Sequence, residues 1–233
     1  MSGGGSTFRK VSNLGGNKRL HSFEERKAVF VIFSVFAASP HFKQYSDRTD
    51  VLVDDRTGTE HPIYDVDTAI LVYEDSVRGW FLDHGESLKK DQNAGFVVLQ
   101  IAVSQIEGMQ QYRLGESSEP ERGKPSRSKD LFCEGMKRIF SLDQRADEWL
   151  LLFYKSCRCG LFHNGMTGKV VVISREFPTP IEYVDRLIEV NPNSFFDAVK
   201  NDFDIYLREL KEKKEMGLRD RFRKFSEWRI ARS

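Results

Sequence analysis

The stretch that decides the fold covers residues 95–107 and reads GFVVLQIAVSQIE. Its apolar side chains follow one another almost without interruption, so a helix formed here is apolar nearly all round. Such a helix is typical of the centre of a helical protein, and the pattern predicts a buried helix over residues 93–113. We therefore expect a mainly α fold built around this segment.

Helical spacing of apolar residues recurs on both sides of the central segment. A polar loop rich in Ser, Glu, Pro and Gly, residues 115–129, is the best internal linker. The other predicted helices cover residues 67–90, 129–141 and 144–159 and a last long helix opened by Asn191-Pro192.

The remaining segments are predicted to be less regular. Residues 40–72 carry turn signals and are expected to be irregular, with a short hairpin as the alternative. Residues 170–173 and 181–190 are predicted as two strands, which form a small β hairpin before the last long helix. Residues 22–38 begin with a capping box, which favours a helix, although their run of Val, Ile and Phe also suits a strand.

Charge is distributed unevenly along the chain. Of its 233 residues, 36 are Lys or Arg and 35 are Asp or Glu, so the net charge is +1. This balance excludes a protein that is basic throughout and an acidic disordered protein, but both ends are basic and the body is acidic. We predict a flexible basic arm over 1–21, a single helical domain with an N-terminal elaboration over 22–213, and a basic aromatic tail over 214–233.

Cysteine usage and hydropathy indicate the compartment. Cys133, Cys157 and Cys159 form no disulfide framework, and so few cysteines fit a reducing compartment. The longest apolar run, residues 28–38, is shorter than the about 20 residues of a membrane-spanning helix, and no signal peptide is evident. We expect a soluble cytoplasmic protein without membrane contact.

The same cysteines raise the question of a metal. A zinc site on Cys157 and Cys159 needs Cys133 and His163 as further ligands. Packing of buried thiols is the favoured interpretation, and we expect neither a metal nor a cofactor.

The most informative segment covers residues 157–165 and reads CRCGLFHNG. Arg158 lies near the end of a predicted helix, and His163 follows five residues later. Residues five apart in an unbroken helix are separated by about 140° of rotation, so we expect a break near Gly160 to turn both side chains towards one cleft. An imidazole exchanges protons near neutral pH, and a guanidinium holds phosphate oxygens. The pair suits cleavage of RNA, which supplies its own 2′-hydroxyl nucleophile.

The pattern Arg158-x4-His163 resembles the Arg-x4-6-His motif of HEPN-domain proteins. A buried helix that ends in Ser104-Gln105-Ile106-Glu107 precedes the motif, and a hairpin and an Asn-Pro helix follow it, as in bacterial HEPN proteins linked to defence. The resemblance covers residues 67–210. It implies an HEPN-like helical bundle with a small β hairpin before the last long helix.

The resemblance also implies an activity, that of a metal-independent endoribonuclease acting as a toxin or an anti-phage effector. Two protomers would join their motifs at a dimer interface, and an antitoxin or defence-complex partner would restrain them. His163 would deprotonate the 2′-hydroxyl, its symmetry mate would protonate the leaving 5′-oxygen, and Arg158 would hold the scissile phosphate. The products would carry a 2′,3′-cyclic phosphate and a 5′-hydroxyl.

Three further residues bear on the proposed site. Many HEPN proteins have a polar residue directly after the arginine, where this chain has Cys159, so Asn164 is expected to supply the missing hydrogen bond. Glu107 is predicted to orient Arg158.

Basic residues elsewhere are predicted to contact RNA, because cations attract phosphates and interleaved aromatics stack on bases. In the tail these aromatics are Phe222, Phe225 and Trp228, which equally fall at helical spacing and would then pack on the body or on a partner. The candidate RNA-binding residues are Lys155, Arg221, Arg223 and Lys224.

Other interpretations stay open. The missing polar residue after Arg158 fits a non-catalytic HEPN subunit that dimerises or binds RNA, and the tail fits a protein-binding regulator. An arginine and a histidine at a helix end also serve structural roles, because cations there favour the helix dipole. The remaining histidines, His41 among them, have no acid at a spacing that marks a site.

Overall fold

A computed structural model describes residues 36–120, 123, 125–214 and 216–230. Helices account for most of them, and the predicted mainly α class is confirmed. The predicted arm over 1–21 and residues 22–35 of the predicted helix over 22–38 lie outside this range. Where that helix reaches the described residues the prediction is wrong, because residues 36 and 37 pair as a strand with Lys43 and Gln44.

Four antiparallel strands form a sheet at the start of the described chain, where an irregular segment was predicted. They are β1 (Phe36–Ala37), β2 (Phe42–Tyr45), β3 (Arg48–Asp54) and β4 (Thr59–Pro62), paired in that order. Phe42 and Leu52 are buried, whereas most other positions of these strands whose burial is described are partly or fully exposed. Because so few positions face a core, the period-two alternation that identifies a strand is weak.

The helices confirm the predicted helical segments to within a few residues at most ends. Among the described residues they are α1 (Val66–Val77), α2 (Asp83–Leu88), α3 (Gly95–Leu114), α4 (Ser128–Phe140), α5 (Asp147–Phe153), α6 (Gly160–Asn164), α7 (Pro192–Lys211) and α8 (Met216–Ile230). One π turn, Arg78–Leu82, joins α1 to α2, and another, Tyr154–Cys159, joins α5 to α6.

Helix α3 is the centre of the core, as its composition predicts. It packs against α4, α7 and α8, and half of its 20 residues are buried. Its fully buried apolar residues include Val98, Leu99, Ala102, Val103 and Ile106. Glu107, at the buried position that follows, is therefore held by a rigid element.

A second small sheet lies between α6 and α7. Its strands are β5 (Val171–Ile173), β6 (Ile181–Val184) and β7 (Leu187–Val190), in the order β5, β7, β6. The predicted hairpin before the long helix is present, but residues 181–190 form both of its strands rather than one. Asp185 and Arg186 make the turn with φ values of 49° and 66°, and the sequence hides this turn because such φ values favour Gly or Asn.

Most of the predicted basic aromatic tail over 214–233 forms helix α8, which packs on α3. Phe222 and Phe225 are buried, with ring centroids 5.1 Å and 4.7 Å from that of Tyr112. Of the two interpretations of these aromatics, packing on the body is therefore the one observed. Among the described residues, no helix combines the length and the apolar character that crossing a membrane requires.

Candidate functional site

Arg158 lies in a helical stretch that runs without a break from α5 through the π turn into α6. The predicted break near Gly160 is wrong, because Gly160 itself has helical φ and ψ values of −59° and −49°. Its lack of a side chain serves packing instead: a Cβ here would lie 2.6 Å from the carbonyl oxygen of Met166. The chain after α6 folds back along the helix, and the Gly168 N–H donates to the carbonyl of Ser156 at 2.7 Å.

Glu107 and Arg158 are brought together as predicted. The Arg158 guanidinium donates to Oε2 of Glu107 at 2.9 Å, with 25% of the arginine side chain and 10% of the glutamate side chain exposed. The same carboxylate oxygen accepts from the Ser128 hydroxyl at 2.7 Å, and Ser128 also bonds the Tyr154 hydroxyl at 2.9 Å. Three segments of the chain thus fix the position of the arginine.

Two aromatic rings flank the guanidinium of Arg158. Its Cζ lies 4.9 Å from the ring centroid of Phe162 and 5.6 Å from that of Tyr154, which are cation–π distances. Burial raises the pKa of Tyr154, although its hydrogen bond with Ser128 and the charge of Arg158 oppose that rise. Tyr154 is therefore a neutral hydroxyl at neutral pH and is available to Ser128 as a hydrogen-bond partner.

His163 and Asn164 occupy the exposed last turn of α6. Gly165, with a φ of 67°, caps the end of this helix. Neither side chain forms a hydrogen bond within the described part of the chain. Phe162, four residues after Arg158, contacts its guanidinium. One chain therefore pairs Arg158 with Glu107 and leaves His163 exposed, with no hydrogen bond to either residue within the described part of the chain.

The cysteines beside Arg158 differ in environment. Cys157 is buried, which raises the pKa of its thiol far above the usual range, whereas Cys159 is half-exposed. All three cysteines are free. Over the described ranges, no three side chains among His, Cys, Asp and Glu are arranged to hold a metal ion.

One of the four RNA-binding candidates lies in the π turn, and the other three lie on helix α8. Lys155 is exposed in the π turn near Arg158. On α8, Arg221 donates through Nε to the carbonyl of Arg113, Arg223 pairs with Asp220, and Lys224 is exposed. The burial of Phe222 and Phe225 makes them unavailable for stacking on bases.

A further polar cluster was not predicted, because its members are far apart in sequence. Asp75 of α1, almost buried, accepts from the Ser39 hydroxyl at 2.6 Å and from Nδ1 of His41 at 2.8 Å. Arg56 contacts the same carboxylate at 3.3 Å. His41 therefore has an acid partner, contrary to the prediction. The cluster fastens the first sheet to α1.

Ser128 and Tyr154 were also missed as parts of the candidate site. Both are ordinary helix residues in the sequence, and only the packing of α4 beside the π turn brings them to Glu107. Comparisons with protein-family models, curated proteins and solved structures gave no match to the chain.

Proposed function

We propose that the protein is a metal-independent endoribonuclease with an HEPN-like helical bundle, and that it acts as a toxin or an anti-phage effector in the cytoplasm. The observation that carries the proposal is the Glu107–Arg158 pair. The nearly buried carboxylate of Glu107 holds the partly exposed side chain of Arg158. The helix that follows Arg158 bears the exposed His163. Such a fixed cation suits the binding of a phosphodiester.

The chemistry follows from the proton and charge requirements of RNA cleavage. His163 takes the proton of the 2′-hydroxyl, whose oxygen attacks the phosphorus, and the P–O5′ bond breaks. A second proton donor then protonates the leaving 5′-oxygen. Arg158 stabilises the charge that develops on the phosphoryl oxygens. The products carry a 2′,3′-cyclic phosphate and a 5′-hydroxyl, and RNA supplies the nucleophile, so the proposed reaction needs no cofactor.

A homodimer reconciles this chemistry with the unbroken helix. Because no contact joins Arg158 to His163 within the described residues of one chain, the proposed composite site takes the motif of a second copy beside the first. His163 of that copy is the proposed second proton donor, and Asn164 and Lys155 flank the bound strand. An antitoxin or a defence-complex partner would cover the same exposed surface.

Two observations favour a second candidate function, a non-catalytic HEPN subunit that dimerises or binds RNA. Glu107 neutralises much of the charge of Arg158, and no contact joins Arg158 to His163 within the described residues. In this alternative the pair is a structural link between α3 and the π turn.

The deciding experiment is incubation with total RNA in the presence of a chelator, followed by mapping of the RNA ends. We expect the parent protein to generate 2′,3′-cyclic phosphate ends and His163→Ala to lose about 10²-fold or more of this activity. His84→Ala is the matched control, since His84 is also an exposed helix histidine. Light scattering measures the oligomeric state of each variant, and circular dichroism checks its fold. Equal cleavage by His163→Ala would refute the site, and RNA binding without cleavage by the parent would favour the non-catalytic subunit.

A further inference from the structure

Phe162 is an exposed aromatic ring beside the guanidinium of Arg158. Its centroid lies 4.9 Å from Cζ of Arg158, and 47% of the residue is exposed. No other aromatic ring within the described residues packs on it. Because burying an aromatic side chain is favourable, an exposed phenylalanine beside a phosphate-binding arginine is a candidate contact for a ligand.

We propose that Phe162 is a stacking platform for an unpaired nucleobase of the bound RNA strand. The inference rests on the proposed ribonuclease site and adds the residue that distinguishes unpaired from paired RNA. Every nucleobase offers a π face to an aromatic side chain. In a duplex the bases are already stacked on one another, so a paired base is not free to contact the ring.

Three side chains of this helical stretch suit different parts of a nucleotide chain. Arg158 offers a cation to the phosphate, and Phe162 offers an apolar surface to the base attached next to it. Lys155, exposed on the preceding turn, attracts a neighbouring phosphate. Tyr154, on the other side of the guanidinium, is bonded to Ser128 and is only partly exposed, so Phe162 is the more accessible of the two rings.

The test measures binding of a fully 2′-O-methylated oligonucleotide, which lacks the nucleophile and is not cleaved. Fluorescence anisotropy compares the single strand with its duplex for the parent, Phe162→Leu and Phe162→Tyr. Phe81→Leu is the matched control, because Phe81 is 39% exposed and lies in the other π turn. We expect Phe162→Leu to weaken single-strand binding about tenfold. Phe162→Tyr and Phe81→Leu should keep the parent affinity, and weak duplex binding should not depend on Phe162.

Three results would overturn the inference. The first is a single-strand affinity that Phe162→Leu leaves unchanged, and the second is a duplex affinity that falls as much as the single-strand affinity. The third is a change of oligomeric state in light scattering, which would make Phe162 a contact between copies. The outcome is separable from that of the proposed function. Loss of single-strand binding in Phe162→Leu supports the platform even if the parent never cuts RNA. Cleavage by the parent that Phe162→Leu retains in full, with unchanged binding, refutes the platform alone.

Discussion

The guanidinium of Arg158 and the carboxylate of Glu107 meet at 2.9 Å although 51 residues separate them in the chain. The two partners differ in solvent access, since the carboxylate side chain is 10% exposed and the arginine side chain 25% exposed. A buried charge that loses its partner is costly, whereas a charge that reaches water is not. The pair therefore combines a structural role for Glu107 with an accessible cation for a ligand.

The burial of Glu107 predicts that a change of Arg158 lowers the stability of the protein, whereas a change of His163 does not. Arg158→Ala should lower the free energy of unfolding by about 2 kcal/mol, because it leaves the Glu107 carboxylate buried with Ser128 alone. His163→Ala should leave the free energy of unfolding unchanged, since the imidazole is exposed and contacts no described hydrogen-bond partner. Urea unfolding of both variants measures the difference. Equal stabilities would show that Glu107 does not depend on Arg158.

Gly160 gives a second prediction, because its role is close packing rather than helix breaking. Alanine normally favours a helix over glycine by about 1 kcal/mol. Gly160→Ala should nevertheless destabilise the protein by about 1–3 kcal/mol, because its Cβ would lie 2.6 Å from the carbonyl oxygen of Met166. Gly108→Ala in α3 is the control: nothing lies within 4 Å of its Cβ, so we expect a gain in stability. Thermal unfolding decides, and a gain in both variants would contradict the packing role.

The same glycine shows where sequence reasoning ends. The apolar pattern of residues 93–113 was sufficient to identify α3 as the central helix, and Glu107, directly after the apolar run of that helix, was predicted as the partner of Arg158. The role of Gly160 depends on Met166 returning to the helix, and this return is a tertiary feature that no local pattern encodes. The break near Gly160 was predicted from the conformational freedom of glycine, which the structure does not use there.

The Asp75 carboxylate predicts an acid-dependent contribution to stability. Burial raises its pKa, but hydrogen bonds from Ser39 and His41 outweigh burial, and the pKa lies below its usual value. A carboxyl whose pKa is lower in the folded than in the unfolded state stabilises the fold above the unfolded value of about 3.9. That contribution is lost as the pH falls through the folded pKa.

Asp75→Asn should therefore be less stable than the parent at pH 7, and the difference should shrink as the pH falls below about 4. Urea unfolding at pH 7, 5, 4 and 3 measures it. Ser39→Ala, which removes one of the hydrogen bonds, should show the same trend with a smaller amplitude. A difference that stays constant from pH 7 to pH 3 would mean that the carboxylate is not stabilised by this cluster.

The burial of Phe222 makes helix α8 part of the core, and this predicts the result of changing it. Phe222→Ala removes a ring that stacks on Tyr112 and contacts Tyr73, so the free energy of unfolding should fall by about 3–5 kcal/mol. Lys224→Ala, two residues away on the exposed face, should leave stability unchanged while reducing any RNA affinity that depends on α8. Urea unfolding and anisotropy with the methylated oligonucleotide measure the two effects. If Phe222→Ala is as stable as the parent, α8 is not held by the core, and its aromatic residues are again available to a ligand.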